Sequence, residues 1–383
     1  MRQEGFDMWL VICRENNEDP VFSSLVPFTS LYASRTSMLV FFDRGPEQGV
    51  ERLTVSRSGI GSLYKSVWEP EKVEQWTRLG QIIKERNPKK IGVNKSDTFN
   101  YGDGLSATLE KKLMAAIPPE MAPRVQSAER LAVKWLERRS PEELEVYPHI
   151  AAIAHRIIAE AYSRAVITPG VTTTEDVVWW MRERSRRLGL TNWFQPSVDV
   201  QRPKDSPHKT SNVIHRGDLL HCDFGIVYLE LCTDTQQLAY VLEDGETDAP
   251  KGLKDGLAQG NRLQDIHLEE MKTGRTGNDI LASALKRAKA EGLRPSIYTH
   301  PLGVHGHAAG LLIGMWDMQN GVPGPGDFTL QEDTVHSIEL NVTASVPEWG
   351  NQDVRFPLEQ DAVFAKDGPR WLDRRQTTLT LIK

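Results

Sequence analysis

Between Gly217 and Leu242 the chain reads GDLLHCDFGIVYLELCTDTQQLAYVL, two apolar runs that carry one acid each, Asp223 and Asp234, and hold no lysine or arginine. Short apolar runs bounded by glycine and polar turns are strands, so both acids are expected within paired strands of a sheet. A carboxylate there must take up a proton or find a cation, because desolvating its charge remains costly even after the surroundings relax. With no cationic side chain in the run, a metal ion is a natural partner. Taken singly, Asp223 is accounted for as a cap on the turn at Gly225, and Asp234 as a hydrated acid on a strand edge. Together they are harder to dismiss, since Glu339 in HSIELNV and Glu359 in FPLEQDAVF repeat the same context.

Histidine supplies a fifth member. The stretch YTHPLGVHGHAAG holds His300, His305 and His307, three of the ten histidines in the chain, among glycines that permit close backbone approach. The three cysteines, Cys13, Cys222 and Cys232, show no C-x-x-C spacing and cannot all pair, so neither a disulfide scaffold nor a zinc ribbon is expected. Cys222 precedes Asp223 and should point to the opposite face of its strand, packing as a small apolar residue. Cys232, two before Asp234, shares that acid's face and is also assigned to packing.

A chain of 383 residues exceeds one ordinary core, and two domains are expected. Up to residue 139, short strands (Met8 to Cys13, Met38 to Asp43, Leu53 to Ser56, Ile91 to Asn94) alternate with an amphipathic helix after Pro70, an α/β pattern. From Ser140 a second domain, 140–383, opens with a serine cap, Pro141 at the first helical position and acids in the first turn. Pro148 is expected to kink or divide that helix, and Thr172 with Glu175 has capping-box spacing before the next. Two more helical segments, Leu253 to Lys272 and Asn278 to Glu291, precede the strands of the last third. The expectation is an α/β domain followed by helices packed on a mostly antiparallel sheet.

A formal net charge of -6 and no dense lysine/arginine block exclude a phosphate-tracking surface. The longest apolar runs are far shorter than the roughly 20 residues a membrane span requires. No charged segment followed by an apolar one opens the chain, so a cytoplasmic location is the default expectation, with export open if a leader was trimmed.

Order and spacing of the five residues resemble the pita-bread metallopeptidases: aminopeptidase P, prolidase and methionine aminopeptidase. Those proteins carry D-x-G with a second Asp eleven positions on, as Asp223 and Asp234 do. They follow with G-H-x-x-G (Gly306, His307, Gly310), a Glu in an I-E-x strand (Glu339) and another about twenty residues later (Glu359). An α/β domain ahead of the catalytic one is typical of the aminopeptidase P, prolidase and creatinase branch, so the resemblance covers the whole chain. Two positions depart from the branch. A second histidine is expected seven after the metal histidine, where Gly314 stands, and an arginine two before the last Glu, where Pro357 stands.

The resemblance implies a creatinase-like N-terminal α/β domain, an α+β pita-bread catalytic domain and two divalent ions, manganese first, with cobalt, zinc or iron also suited to oxygen-rich ligands. Asp223, Asp234, His307, Glu339 and Glu359 are the implied ligands, with Asp234 and Glu359 bridging. It implies a metal-dependent exopeptidase that cuts an Xaa-Pro bond with a bridging hydroxide, Glu339 relaying the proton and His208 or His305 meeting the oxyanion. His208 lies fifteen residues before Asp223, and His215 competes with it. The rivals are a hydrolase or lyase of a small metabolite on the same fold, and a noncatalytic binding module. The expected partners are a small peptide and a second copy of the chain, without nucleic acid or membrane.

Overall fold

A computed structural model describes residues 1–383. The chain folds as two compact units, Met1–Leu136 and Glu137–Lys383. The first holds a six-stranded mixed sheet of β1 (Met8–Arg14), β2 (Thr36–Asp43), β3 (Val50–Thr54), β4 (Lys65–Ser66), β5 (Ile91–Val93) and β6 (Val125–Ser127), in the order β4-β3-β2-β1-β5-β6. The expected strands recur within two or three residues. Helices α1 (Phe22–Leu25), α2 (Gln75–Arg86), α3 (Ala107–Ala116) and α4 (Glu129–Glu137) accompany them. Leu79, Ile82 and Ile83 of α2 pack with Met8, Leu10 and Ile12 of β1, as the spacing of its apolar positions requires.

The second unit begins with α5 (Pro141–Ala161), whose start is closed by a reciprocal bond pair: Ser140 Oγ accepts from the Glu143 N–H, and the Glu143 carboxylate accepts from the Ser140 N–H. Pro148 does not divide α5, which runs unbroken through it to Ala161. Helix α6 (Thr174–Arg187) is boxed by Thr173 and Asp176, one residue later than the Thr172–Glu175 spacing suggests. The hydroxyl of Thr172 instead accepts from the Thr168 N–H, in the preceding turn.

Strands β7 (Ser197–Gln201), β8 (Leu219–Phe224), the short pair β9 (Val227–Tyr228) and β10 (Leu231–Cys232), and β11 (Thr235–Val241) come next. After α7 (Lys251–Glu270) and α8 (Gly277–Ala290) follow β12 (Pro295–Leu302), β13 (Thr334–Val346), β14 (Gln352–Ala365), β15 (Gly368–Trp371) and β16 (Thr380–Ile382). The main sheet runs β12-β13-β14-β11-β8-β7, with β15 beside β14 and β16 beside β11, and every pairing but β11–β16 is antiparallel. It forms the curled, helix-covered antiparallel sheet of the pita-bread architecture.

Strand alternation sorts its two faces. Leu220, Cys222 and Phe224 share a buried core with Ile150, Ala154 and Ile158 of α5. A Cβ added at Gly256 or Gly260 of α7 would meet Phe356 or Leu358 at 2.2 and 2.7 Å, so these glycines let the helix lie close on β14. Asp223 and Glu359 alternate with these apolar residues and point to the other face.

Candidate metal centre

One row of side chains crosses that other face. Ser197 on β7 lies opposite Asp223 on β8, Asp223 opposite Gln236 on β11, and Gln236 opposite Glu359 on β14. Glu359 in turn faces Glu339 on β13, which faces Tyr298 on β12. Residues paired across a ladder share a face, so register alone gathers three acids from three strands. A second row two residues along joins His300, Ser337 and Asp361. Asp234, two before Gln236, completes the set. One potential ligand atom from each of Asp223, Asp234 and Glu359 lies within 4.8 Å of the others, and the same holds for His300, Glu339 and Glu359 and for Asp234, His300 and His307.

Five of the sequence candidates, Asp223, Asp234, His307, Glu339 and Glu359, therefore converge, and His300 joins them at the centre. His300 is 1% exposed, with Nε2 at 3.5 Å from Asp234 Oδ2 and 3.6 Å from Glu359 Oε1. Its Nδ1 lies 3.2 Å from the Pro301 carbonyl. A carbonyl can only accept, so Nδ1 carries a proton, and Nε2 faces the two acids, where it could offer a lone pair to a cation. His307 is more exposed, its ring edge-on to His300 at 4.5 Å and to Trp193 at 5.2 Å, with Tyr298 at 6.1 Å.

The other candidate histidines belong to none of the three ligand groups. His208 is exposed and stacks on His215, their ring centroids 3.6 Å apart. Both belong to the loop before β8, whose near end, Leu219, is four residues or about 13 Å from Asp223 along the strand. His305 is half-buried and belongs to none of the three ligand groups; its carbonyl accepts from the Gly303 N–H.

The electrostatics are those of an uncompensated acidic cluster. Burial, then the charge of Glu359, pushes Asp223 and Glu339 up to about 8 and Asp234 well above the usual carboxylate range. Asp361, whose Oδ1 accepts from the Asp234 N–H, is raised by burial as well. Burial pulls the His300 imidazole down, but the nearby Glu359 more than offsets it and the net shift is upward. Burial and the neighbouring His300 lower His307 to about 4. No lysine or arginine pairs with any of the four acids, and Asp223 Oδ1, Asp234 Oδ1 and His300 Nε2 are buried without a hydrogen-bond partner. Oxygen donors, a lone-pair nitrogen and orphaned atoms aimed at one another fit a divalent cation. All three thiols are buried and pushed up to about 12, which leaves none poised as a nucleophile.

Sequence reasoning named His307 as the imidazole ligand, and the structure places it in one of the three ligand groups; His300, which belongs to two of them, was left among the histidines whose role was open. The missed signal was the spacing H-x-x-G with a second histidine seven on, which His300, Gly303 and His307 satisfy. Gln236, hidden in an unremarkable QQ pair, was also missed.

The chain and its fold are similar to known proteins. The chain is 24% identical over 139 residues to a putative Xaa-Pro aminopeptidase of Mycoplasma genitalium, a match covering 36% of this chain and 34% of that protein. The fold is similar to the X-Pro aminopeptidase of Thermotoga maritima, with a TM-score of 0.68, 18% identity and full coverage of both chains. It is also similar to the N-terminal domain of a FACT complex subunit from chickpea (Cicer arietinum), with a TM-score of 0.62, 10% identity and coverage of 100% and 94%. No helix is long and apolar enough to cross a membrane. The sequence model of metallopeptidase family M24 matches residues 149–363, more than half of the chain and every residue of the acidic cluster, and this protein belongs to that family.

Proposed function

We propose that the chain is a metal-dependent exopeptidase acting on the Xaa-Pro bond at the amino end of small peptides. The observation that carries this reading is the buried row of acids around His300, with orphaned oxygens and no cationic side chain. In this reading Asp223, Asp234, His300, Glu339 and Glu359 hold two divalent ions, manganese first. Asp234, His300 and Glu359 each belong to two of the three ligand groups, and of these only the two carboxylates have a second ligand atom with which they could serve both ions. When bound, the ions supply Lewis-acid polarisation of a carbonyl and a water acidic enough to attack it near neutral pH.

The protein's own groups do the rest. Glu339 has one oxygen engaged by Gln236, and the other, which would face the ions, lies where it could also take up the proton of the attacking water and pass it to the departing amine. His307 stands seven residues beyond His300, so the second histidine of the branch is present after all, and Gly314 ceases to be a departure. Held neutral at pH 7, its imidazole can donate a hydrogen bond to substrate. Trp193 and Tyr298 beside it offer an apolar wall suited to a proline ring. The location of His208 beyond the end of β8 argues against a role for it, and His305 is the weaker candidate beside His307. A creatinase-like N-terminal domain and a homodimer complete the reading, the latter testable by light scattering.

The deciding experiment is digestion of a peptide library by chelator-stripped protein given Mn²⁺, Co²⁺ or Zn²⁺ separately, read by mass spectrometry. Loss of one N-terminal residue ahead of proline, dependent on metal, is expected. Equal activity without metal would refute the mechanism. Pro357, where the branch has arginine, favours as a second reading a hydrolase or lyase of a small non-peptide metabolite. Cleavage of small amides with no cut in any peptide would establish it. The likeness to the FACT subunit domain keeps a binding module in view, and absence of both metal and turnover would favour that.

A further inference from the structure

Gln236 is the one residue between Asp223 and Glu359 in the cross-strand row that is not an acid. Its amide is buried, 5% exposed, and both ends are engaged. Nε2 donates to Glu339 Oε1 at 3.2 Å, and Oε1 lies 2.8 Å from His221 Nε2. The other ring nitrogen, Nδ1, is 3.7 Å from Oδ2 of Asp199, an exposed residue on β7 directly opposite His221. With Glu339 ionised, as a metal ligand must be, the amide has to donate to it through Nε2, because reversed it would set two oxygens against each other; Oε1 is then left to accept from His221 Nε2.

Glu339 needs such a restraint. It is half-buried, so it has a route to solvent, and Glu359 is its direct cross-strand neighbour with Asp223 beyond. Like charges directly opposite on a ladder repel. A carboxylate with free torsions in that position would swing outward, and the only hydrogen bond opposing this comes from Gln236.

We propose that Asp199, His221 and Gln236 form a positioning chain that pins one oxygen of Glu339, so that the other is presented to a divalent cation in a single orientation. The inference rests on the proposed function only in taking the cluster to bind divalent metal; it does not depend on the substrate.

The test is Mn²⁺ binding to chelator-stripped full-length protein, by calorimetry with metal counted per chain, for wild type, His221→Leu, Gln236→Leu, the double variant and His221→Gln. Each single leucine variant is expected to weaken binding at the Glu339-bearing position by about 10–100-fold, the range for outer-shell partners of a ligand. The double variant should fall within about 2-fold of the weaker single one, because breaking the chain anywhere frees the same carboxylate. His221→Gln, whose amide can donate to Gln236, should recover most of the affinity. The exposed Asp199→Ala provides a variant without a buried change and should weaken binding by about 3-fold, less than the outer-shell range because its contact with His221 is 3.7 Å long and solvent-screened. Melting of the metal-free variants identifies any that fail to fold. Wild-type affinity in the folded variants, or losses that multiply in the double variant, would overturn the proposal. Wild-type protein that binds Mn²⁺ but cuts no peptide would sink the peptidase reading and leave this inference standing. Peptide cleavage with unchanged Mn²⁺ affinity in the variants would do the reverse.

Discussion

Metal binding here should be strongly coupled to protons. With burial and Glu359 holding Asp223 and Glu339 near 8, both carboxyls of the metal-free protein are mostly protonated at neutral pH. A cation must displace both protons, at a cost of about 1.4 kcal/mol each per unit of separation between pH and pKa. Two protons released make the association constant rise about 100-fold per pH unit between about pH 5.5 and 7.5, levelling off beyond the folded pKa. Asp234, raised further, adds to the slope if it ionises on binding. The stability of the metal-free protein carries the opposite sign. Acids with folded pKa values above their unfolded ones stabilise the fold fully below about pH 4 and cease to do so as the pH rises through about 8. The melting temperature of stripped protein should therefore fall across that window, and saturating Mn²⁺ should reverse the fall. Calorimetric titration in two buffers of contrasting ionisation enthalpy counts the protons directly. An affinity that is flat across the window, or fewer than about one proton released, would refute the electrostatic account of the cluster.

Three further outcomes are expected. His300→Ala should abolish Mn²⁺ binding by calorimetry, whereas His307→Ala should keep the metal and lose on the order of 100-fold in kcat/KM; loss of metal in both would return His307 to the ligand set. His267, fully buried with Nε2 3.1 Å from Thr299 Oγ1, is lowered by burial to about 4. A depressed histidine pKa contributes stability above its unfolded value of about 6.5 that is lost as pH falls through about 4. His267→Gln should thus flatten the acid limb of a denaturation curve, and an unchanged limb would refute the assignment. Gly256→Ala should cost about 1–3 kcal/mol, since its methyl would meet the Phe356 ring at 2.2 Å; urea unfolding with an unchanged midpoint would show that α7 is free to shift.

The sequence by itself determined that Asp223 lies in an apolar strand and Asp234 beside its partner, although that partner strand opens one residue later, at Thr235; it also determined that four acids needed a counter-charge, and where most helices and strands run. These are local properties, set by periodicity, capping and the cost of burying charge, so they survive in one dimension. It did not determine that His300 is the imidazole at the centre, because that depends on His300 falling on the side of β12 that carries Tyr298 opposite Glu339 of β13, with His307 in the loop beyond the strand. Nor did it show Gln236 reaching Glu339, a neighbour only because β11 and β13 flank the same strand. Side chains brought to one face by five strands in register obey long-range pairing, and tertiary structure alone sets that register, since one residue of slip would turn every acid in the row into the helix-packed core.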